Sequence, residues 1–380
     1  MIYLDNAATT SIHYGALDAM RPFLEVFYGN AGSLHSKGRE AYNAVQNARK
    51  QVADFIGASP EQIIFTSGGT EANNMIANFA SHLGMNFVMS SVEHDSIIES
   101  VKLNHIERDN SACFCHVHSD GIVDLDTLEF ILKNANCSSF VSIMHTNNEL
   151  GTINPIKKIG QLCSEYHAAF HTDCVQAAGF TELDVNEFNC DFMTISSHKI
   201  NGPKGVGALY VRHPNYFRPL ICGGKAQEFG LRGGTENVAG IVGFGKACEI
   251  AQNNMDKSHS TINQCVMAFK ETLDSEMSSV GLGDIIHYNS VAGKIINVRF
   301  DRIRSEALIM MLDSQGVCVS AGSACNASDG KPSHVLKAIG LTDDEARSSI
   351  RVSFSRMNTV EESAKAAQIV ASCVNALKEN

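Results

Sequence analysis

The strongest constraint on this 380-residue chain is an alternation running through its first two thirds. Short apolar runs are separated by stretches with helical periodicity. Ile63–Thr66, Phe87–Ser91, Cys113–Val117, Phe140–Met144, Ala169–Thr172, Asp191–Ile195 and Val206–Val211 read as buried strands. Between them, residues 41–56 keep Ala41, Val45, Ala48, Val52 and Phe55 on one helical face, and Glu71–Ala80 reads as the helix after the first strand. Pro155–Ala168 begins with Pro at a first helical position and keeps Ile156, Ile159, Leu162 and Tyr166 in phase. Strands alternating with helices predict an α/β domain built on a mainly parallel central sheet flanked by helices.

After about residue 255 the pattern changes. Ile295–Phe300 and Ile350–Phe354 read as strands, Ser305–Leu312 as a helix, and Thr342…Glu345 and Thr359…Glu362 as capping boxes at late helix starts. The polar stretch Ala251–Ser260 reads as a linker or a helix end. The length suits one large domain and a smaller one. We expect residues 15–255 to form the large domain, and residues 1–14 with 256–380 to form a smaller α/β domain.

A formal net charge of −11 repels phosphate backbones, so nucleic acid is not the expected direct ligand. The N-terminus, from Met1 to Asn6, has neither a basic region nor an apolar core like a signal peptide. No apolar run is long enough to span a membrane. The expectation is therefore a cytoplasmic protein whose 12 cysteines are mostly free thiols.

Four segments carry chemistry. Ser196-Ser197-His198-Lys199-Ile200-Asn201-Gly202-Pro203 places a lysine just past a strand, where α/β sheets present ligands. A lysine there forms a Schiff base with a carbonyl cofactor when its surroundings lower its pKa. Taken alone, it is better read as an exposed loop lysine. Ser67-Gly68-Gly69-Thr70-Glu71 joins a strand to a helix, so its backbone N–H groups and the Thr70 hydroxyl suit a phosphate. Asp173 ends another strand, 26 residues before Lys199, where an acid keeps the pyridinium nitrogen of pyridoxal phosphate (PLP) protonated. A fourth segment, Ser320–Gly330, is small and polar yet holds Cys325, a setting in which an accessible thiolate delivers itself to a reacting atom.

Other residues carry less. Cys113-Phe114-Cys115-His116-Val117-His118 looks like a metal site, but on a packed strand its side chains alternate between faces, and no metal is expected. His13 and His35 are read as structural, Cys174 as packing, and Lys204 as a solvated loop lysine.

Together, these segments resemble the cysteine desulfurases of the NifS/IscS type, in the aminotransferase class V group of PLP enzymes. The resemblance covers nearly the whole chain in order. It runs from Tyr3–Thr10 through Gly29–His35, Ser67–Asn74, Glu93-His94, Met144–Gly151, His171–Gln176, Ser196–Gly205, Leu231–Asn237 and Ser323–Cys325 to Ile350–Phe354. It implies the PLP-dependent transferase fold type I. Lys199 matches the lysine that carries PLP and moves the substrate Cα proton, and His94 the imidazole stacked on the ring. Asp173 matches the pyridinium partner and Gln176 the ring-hydroxyl contact. Gly69, Thr70, Ser196 and His198 match phosphate contacts, with Thr235 supplied by the second subunit of a homodimer. Asn148 and Arg351 match the substrate carboxylate clamp, and Cys325 the nucleophile that becomes a persulfide.

The implied reaction converts L-cysteine to L-alanine and leaves sulfur on Cys325 for a protein acceptor. Iron–sulfur scaffolds, tRNA-thiolation proteins and DNA-sulfur-modification proteins are the acceptor classes. Members that feed a scaffold usually continue with a partner-binding tail, whereas this chain stops one helix after Arg356. The loop beyond Cys325 is also more polar than the family pattern, which bears on the acceptor. Selenocysteine lyase is the nearest alternative. A class V aminotransferase would not need Cys325, and a non-catalytic PLP-fold partner in a sulfur-relay complex would not need the intact set.

Overall fold

The computed structural model describes residues 1–108, 110–322 and 331–379. In chain order these form β1 (Ile2–Tyr3), α1 (Tyr14–Glu25), α2 (Ser36–Phe55), β2 (Ile63–Thr66), α3 (Gly69–His82), β3 (Asn86–Ser90), α4 (Asp95–Asn104), β4 (Ala112–Cys115), α5 (Leu125–Lys133), β5 (Ser139–Ser142), α6 (Ile156–Glu165), β6 (Ala169–Asp173), β7 (Phe192–Ser196) and β8 (Gly207–Val211). Then come α7 (Val238–Asn253), α8 (Met255–Ser279), β9 (Ile286–Ala292), β10 (Ile295–Phe300), α9 (Ser305–Ser314), β11 (Val317–Cys318), α10 (His334–Ala338), α11 (Asp343–Arg347), β12 (Ser349–Ser353) and α12 (Val360–Glu379).

Strands β2 to β8 form one sheet in the order β2-β8-β7-β6-β5-β3-β4. Only β8 runs against its neighbours; the other pairings are parallel. The mainly parallel sheet read from the apolar runs is therefore the one observed, with strand ends within two residues of those expected. Alternation splits each strand between two cores. Ile63 and Phe65 join a core beneath α2, α6 and α7, whereas Ile64 joins another beneath α3 and α4. Ala208 and Tyr210 part from Leu209 and Val211 in the same way. A slip of one residue would exchange both sets, so covering both faces fixes the register.

The later part of the chain builds its own core. β9, β10 and β12 form an antiparallel sheet in the order β12-β10-β9. Ile296, Val298, Ile350 and Val352 bury against Phe269 and Leu273 of α8 and Val370 and Val374 of α12. The N-terminus belongs here too: β1 pairs in parallel with β11, and Leu4 lies in this core. Residues 5–10 then cross to the large sheet, where Thr10 Oγ1 donates to His198 O at 2.8 Å.

Some elements differ from expectation. Of the two readings of Ala251–Ser260 the helix end is the one seen, not the linker: α7 ends at Asn253 and α8 begins at Met255. The buried side of α8 carries Ile262, Cys265, Val266, Phe269, Leu273 and Met277, a helical spacing inside a polar composition. The Thr342…Glu345 capping box is formed, and Thr359 Oγ1 accepts from Glu362 N at 3.2 Å. His13 and His35 cap α1 and α2 through Nδ1, which accepts from Gly15 N and Gly38 N. Cys113 and Cys115 lie on β4, the sheet edge.

Candidate active site

The parallel strands end at one edge of the sheet, and that edge collects the chemistry. β6 ends in Asp173, β7 runs into Ser196, His198 and Lys199, and β2 runs into Gly68, Gly69 and Thr70 at the start of α3. Gly68 sits at φ +154°, and a Cβ on Gly69 would stand 3.0 Å from Val175 Cγ2, so a side chain at Gly69 would crowd the edge. As at any helix start, the first-turn N–H groups of α3 lack intrahelical acceptors and face the edge with a partial positive charge.

Asp173 is held from two sides. Its Oδ1 accepts from Val175 N at 2.9 Å and its Oδ2 from Asn73 Nδ2 at 2.8 Å. Asn73 Nδ2 also donates to Ser96 Oγ at 2.9 Å, and Ser96 Oγ lies 2.8 Å from His94 Nδ1. His94 Nδ1 accepts from Ser96 N at 3.1 Å, capping α4, so the proton of the neutral ring sits on Nε2. A single asparagine thus ties the acid to the imidazole. Its place in the Ser67–Asn74 segment was visible in the sequence, but its two-sided bond was not.

Lys199 Nζ donates to Ala7 O at 2.5 Å and Ala8 O at 2.7 Å, carbonyls brought in by the crossing N-terminal segment. Burial pushes this ammonium down to about 7, helped by the positive charges of Arg351 and Lys294 and opposed by Asp5 and Asp173. Burial also pushes His94 down, and His198 to about 4, so both imidazoles are neutral near pH 7. His198 Nδ1 lies 3.1 Å from Thr9 Oγ1.

Gln176 donates Nε2 to Ala7 O at 2.9 Å, while its buried Oε1 has no hydrogen-bond partner. Asn148 Oδ1 is likewise buried and unpaired. Arg351, on β12, is only 1% exposed; Nη1 donates to Asn148 O at 3.0 Å and Nη2 pairs with Asp5 Oδ1 at 2.8 Å. Asp5 and Lys294 were not singled out from the sequence, although Asp5 stands in the Tyr3–Thr10 segment. Buried Glu93 is pushed up to about 8, chiefly by burial, which keeps its carboxyl protonated beside Asp173.

The structure therefore brings Lys199, Asp173, His94, Gln176, Gly69, Thr70, Ser196, His198, Asn148 and Arg351 to one edge. Thr235 stands apart in this chain. It is exposed and lines a separate cavity with Thr66, Ser67, Gly205 and Arg232. Cys325 lies outside the described residues. Before it, Ser320 bridges Arg351 through the backbone; after it, Ser333 Oγ donates to Glu149 Oε2 at 2.6 Å. Among the described residues, no helix is long and apolar enough to cross a membrane, and no cluster of His, Cys, Asp or Glu suits a metal ion.

The aminotransferase class-V family matches residues 2–365. Cysteine desulfurase IscS of Dictyoglomus turgidum is 41% identical over 366 residues, covering 95% of this chain and 91% of the relative. The chain belongs to the cysteine desulfurases of the aminotransferase class-V family. A solved NifS-like protein superposes with a TM-score of 0.89 at 32% identity, covering 99% of this chain and 100% of that one. SspA, solved in complex with cysteine, gives a TM-score of 0.77 at 31% identity, with 93% and 99% covered. Desulfurases of this family depend on PLP in general, and the edge fits that cofactor. Gln176 Oε1 is an unpaired buried acceptor, Asp173 is a fixed carboxylate, and the Gly68–Thr70 turn opens α3 toward it.

Proposed function

We propose that this desulfurase acts on L-cysteine, with Lys199 carrying PLP and Cys325 receiving the sulfur as a persulfide while alanine is released. The observation that carries this reading is Lys199 itself. It is a buried lysine at a strand end, brought down to about 7 and within reach of the set Asp173, Gln176 and His94. When bound, PLP would supply an electron sink that lets the substrate Cα proton leave.

The remaining work belongs to the chain. Asp173, fixed by Asn73 and Val175 N, offers its carboxylate to the ring nitrogen, and His94, with Nδ1 taken by Ser96 N, offers its neutral ring. Gly69, Thr70, Ser196 and His198 offer N–H and hydroxyl groups to a phosphate. Arg351 offers its guanidinium fork and Asn148 its amide to the substrate carboxylate, which must displace Asp5 from Nη2. Lys199, with a pKa near neutrality, moves the Cα proton efficiently in both directions. Cys325 is reached from Ser320, beside Arg351, and from Ser333, beside Glu149.

The reading includes a homodimer in which exposed Thr235 serves the second subunit's phosphate site, and a protein sulfur acceptor. It also includes a division into residues 15–255 and residues 1–14 with 256–380, supported by the separate cores. The test is to incubate the holoenzyme with L-cysteine and a reductant, measuring alanine and sulfide beside Cys325→Ala and Lys199→Ala. Equal alanine and sulfide from the parent, lost in both variants, is the expected result. Alanine formation that persists without Cys325 would overturn its role.

A further inference from the structure

Away from the carboxylate clamp, unpaired cations gather at one place in this acidic chain. Lys294 follows Gly293 between β9 and β10 and is only 6% exposed. Its ammonium makes no hydrogen bond or ion pair with any described residue, and burial alone pushes it down to about 8. Arg356, just past β12, gives Nε to Asn201 Oδ1 at 3.1 Å, but its Nη2 is buried without a partner. Both line a cavity of about 30 Å³, with Lys199 on the wall, where the two cores meet. The other polar side chains on that wall are Asn6, Thr10, Asn201 and Ser355; no carboxylate is among them. On the far side of Arg356 lies a wider cavity of about 190 Å³, lined by His13 and Lys257 and again without Asp or Glu.

A buried ammonium with no counter-charge costs several kcal/mol. The chain has 41 acidic residues against 30 basic ones, yet places none of the acids here. The space exceeds the roughly 10–15 Å³ that one water needs and is far below the roughly 300 Å³ at which small-molecule pockets begin. We propose that Lys294 and Arg356 bind a halide-sized monovalent anion in this cavity, admitted from solvent past Arg356. The site is distinct from the carboxylate clamp, where Arg351 already has Asp5. Its anion lies beside Lys199 and favours the charged form of that amine.

Crystals of the holoenzyme soaked in sodium bromide test this directly. The expected result is an anomalous bromine peak in contact with Lys294 Nζ and Arg356 Nη2. Ordered water there, without an anomalous signal at molar bromide, overturns the site. In solution, replacing sodium gluconate by sodium chloride at fixed ionic strength raises the thermal midpoint of the parent holoenzyme in a saturable way. Lys294→Met and Arg356→Gln lose that rise. An equal rise in either folded variant overturns the proposal. Where a variant does not fold, the bromide experiment on the parent protein decides alone.

Discussion

Two lysines face one small cavity from opposite cores, and they are buried in different ways. Lys199 reaches two backbone carbonyls and feels Asp5 and Asp173, whereas Lys294 touches no acceptor among the described residues. Both are nevertheless lowered, to about 7 and about 8. For Lys294, burial is sufficient. For Lys199, burial acts together with two neighbouring cations, Arg351 and Lys294, and together they outweigh its favourable partners. A lowered pKa alone therefore does not mark a cofactor lysine; what favours Lys199 for the proposed role is its place at the strand edge beside Asp173, Gln176 and His94.

The sharpest way to break this comparison is to exchange the lysines' fates. Lys199→Arg keeps a cation but removes the amine. We expect turnover to fall about 10³-fold or more, within the range that a lost acid–base group produces, and the visible absorbance of the lysine-bound cofactor to vanish. Lys294→Met should keep that absorbance. Loss of the band in both variants would mean that the junction, and not the amine, governs cofactor attachment.

A third buried cation sharpens the contrast, because Arg351 has an acidic partner. Arg351→Lys keeps the charge but loses the fork. The kcat/KM for L-cysteine should fall about 30- to 100-fold, roughly 2–3 kcal/mol, with most of the change in KM. A change confined to kcat would place Arg351 away from the carboxylate.

How far all this could be read in advance depends on how local the signal is. β2 was read to the residue because Ile63, Ile64, Phe65 and Thr66 are buried on both faces, leaving an apolar run with clear edges. α7 was missed because Val238–Asn253 is small and apolar nearly all round, with no polar face to set a phase. The candidate site was legible through segments that each end a strand. Asn73, Asp5 and Lys294 were not, because their meaning lies in partners 100, 346 and 95 positions away: Asp173, Arg351 and Lys199. A lysine after a glycine in a hairpin normally points to water; only the crossing of the two cores buries this one.

The Lys294 side of the comparison is open to a stability measurement. A lysine whose folded pKa is depressed binds fewer protons when folded than when unfolded. Between about pH 8, its folded value, and 10.5, its ordinary value, stability therefore rises with pH. In halide-free buffer, the parent should gain on the order of 3 kcal/mol across that window relative to Lys294→Met, since each unit is worth about 1.4 kcal/mol. Urea unfolding of both proteins at several pH values above 8 reads this residue, because Lys199, lowered to about 7, has already lost its proton there. A difference independent of pH would show that Lys294 is not a desolvated ammonium.

The smallest effect tests the Lys199 side. Asp5 sits between Arg351 and Lys199 and raises the latter's pKa, whereas Lys294 lowers it. Asp5→Asn removes a negative charge and should move the rising limb of the kcat–pH profile, which reports the amine freed once substrate is bound, to lower pH by less than about one unit. Lys294→Met should move the same limb upward. Opposite shifts require both residues to act through the charge on one amine, since loss of packing alone would not reverse sign between two neutralising substitutions. Shifts in the same direction would show that the limb reports another group, with the Cys325 thiol the first to test.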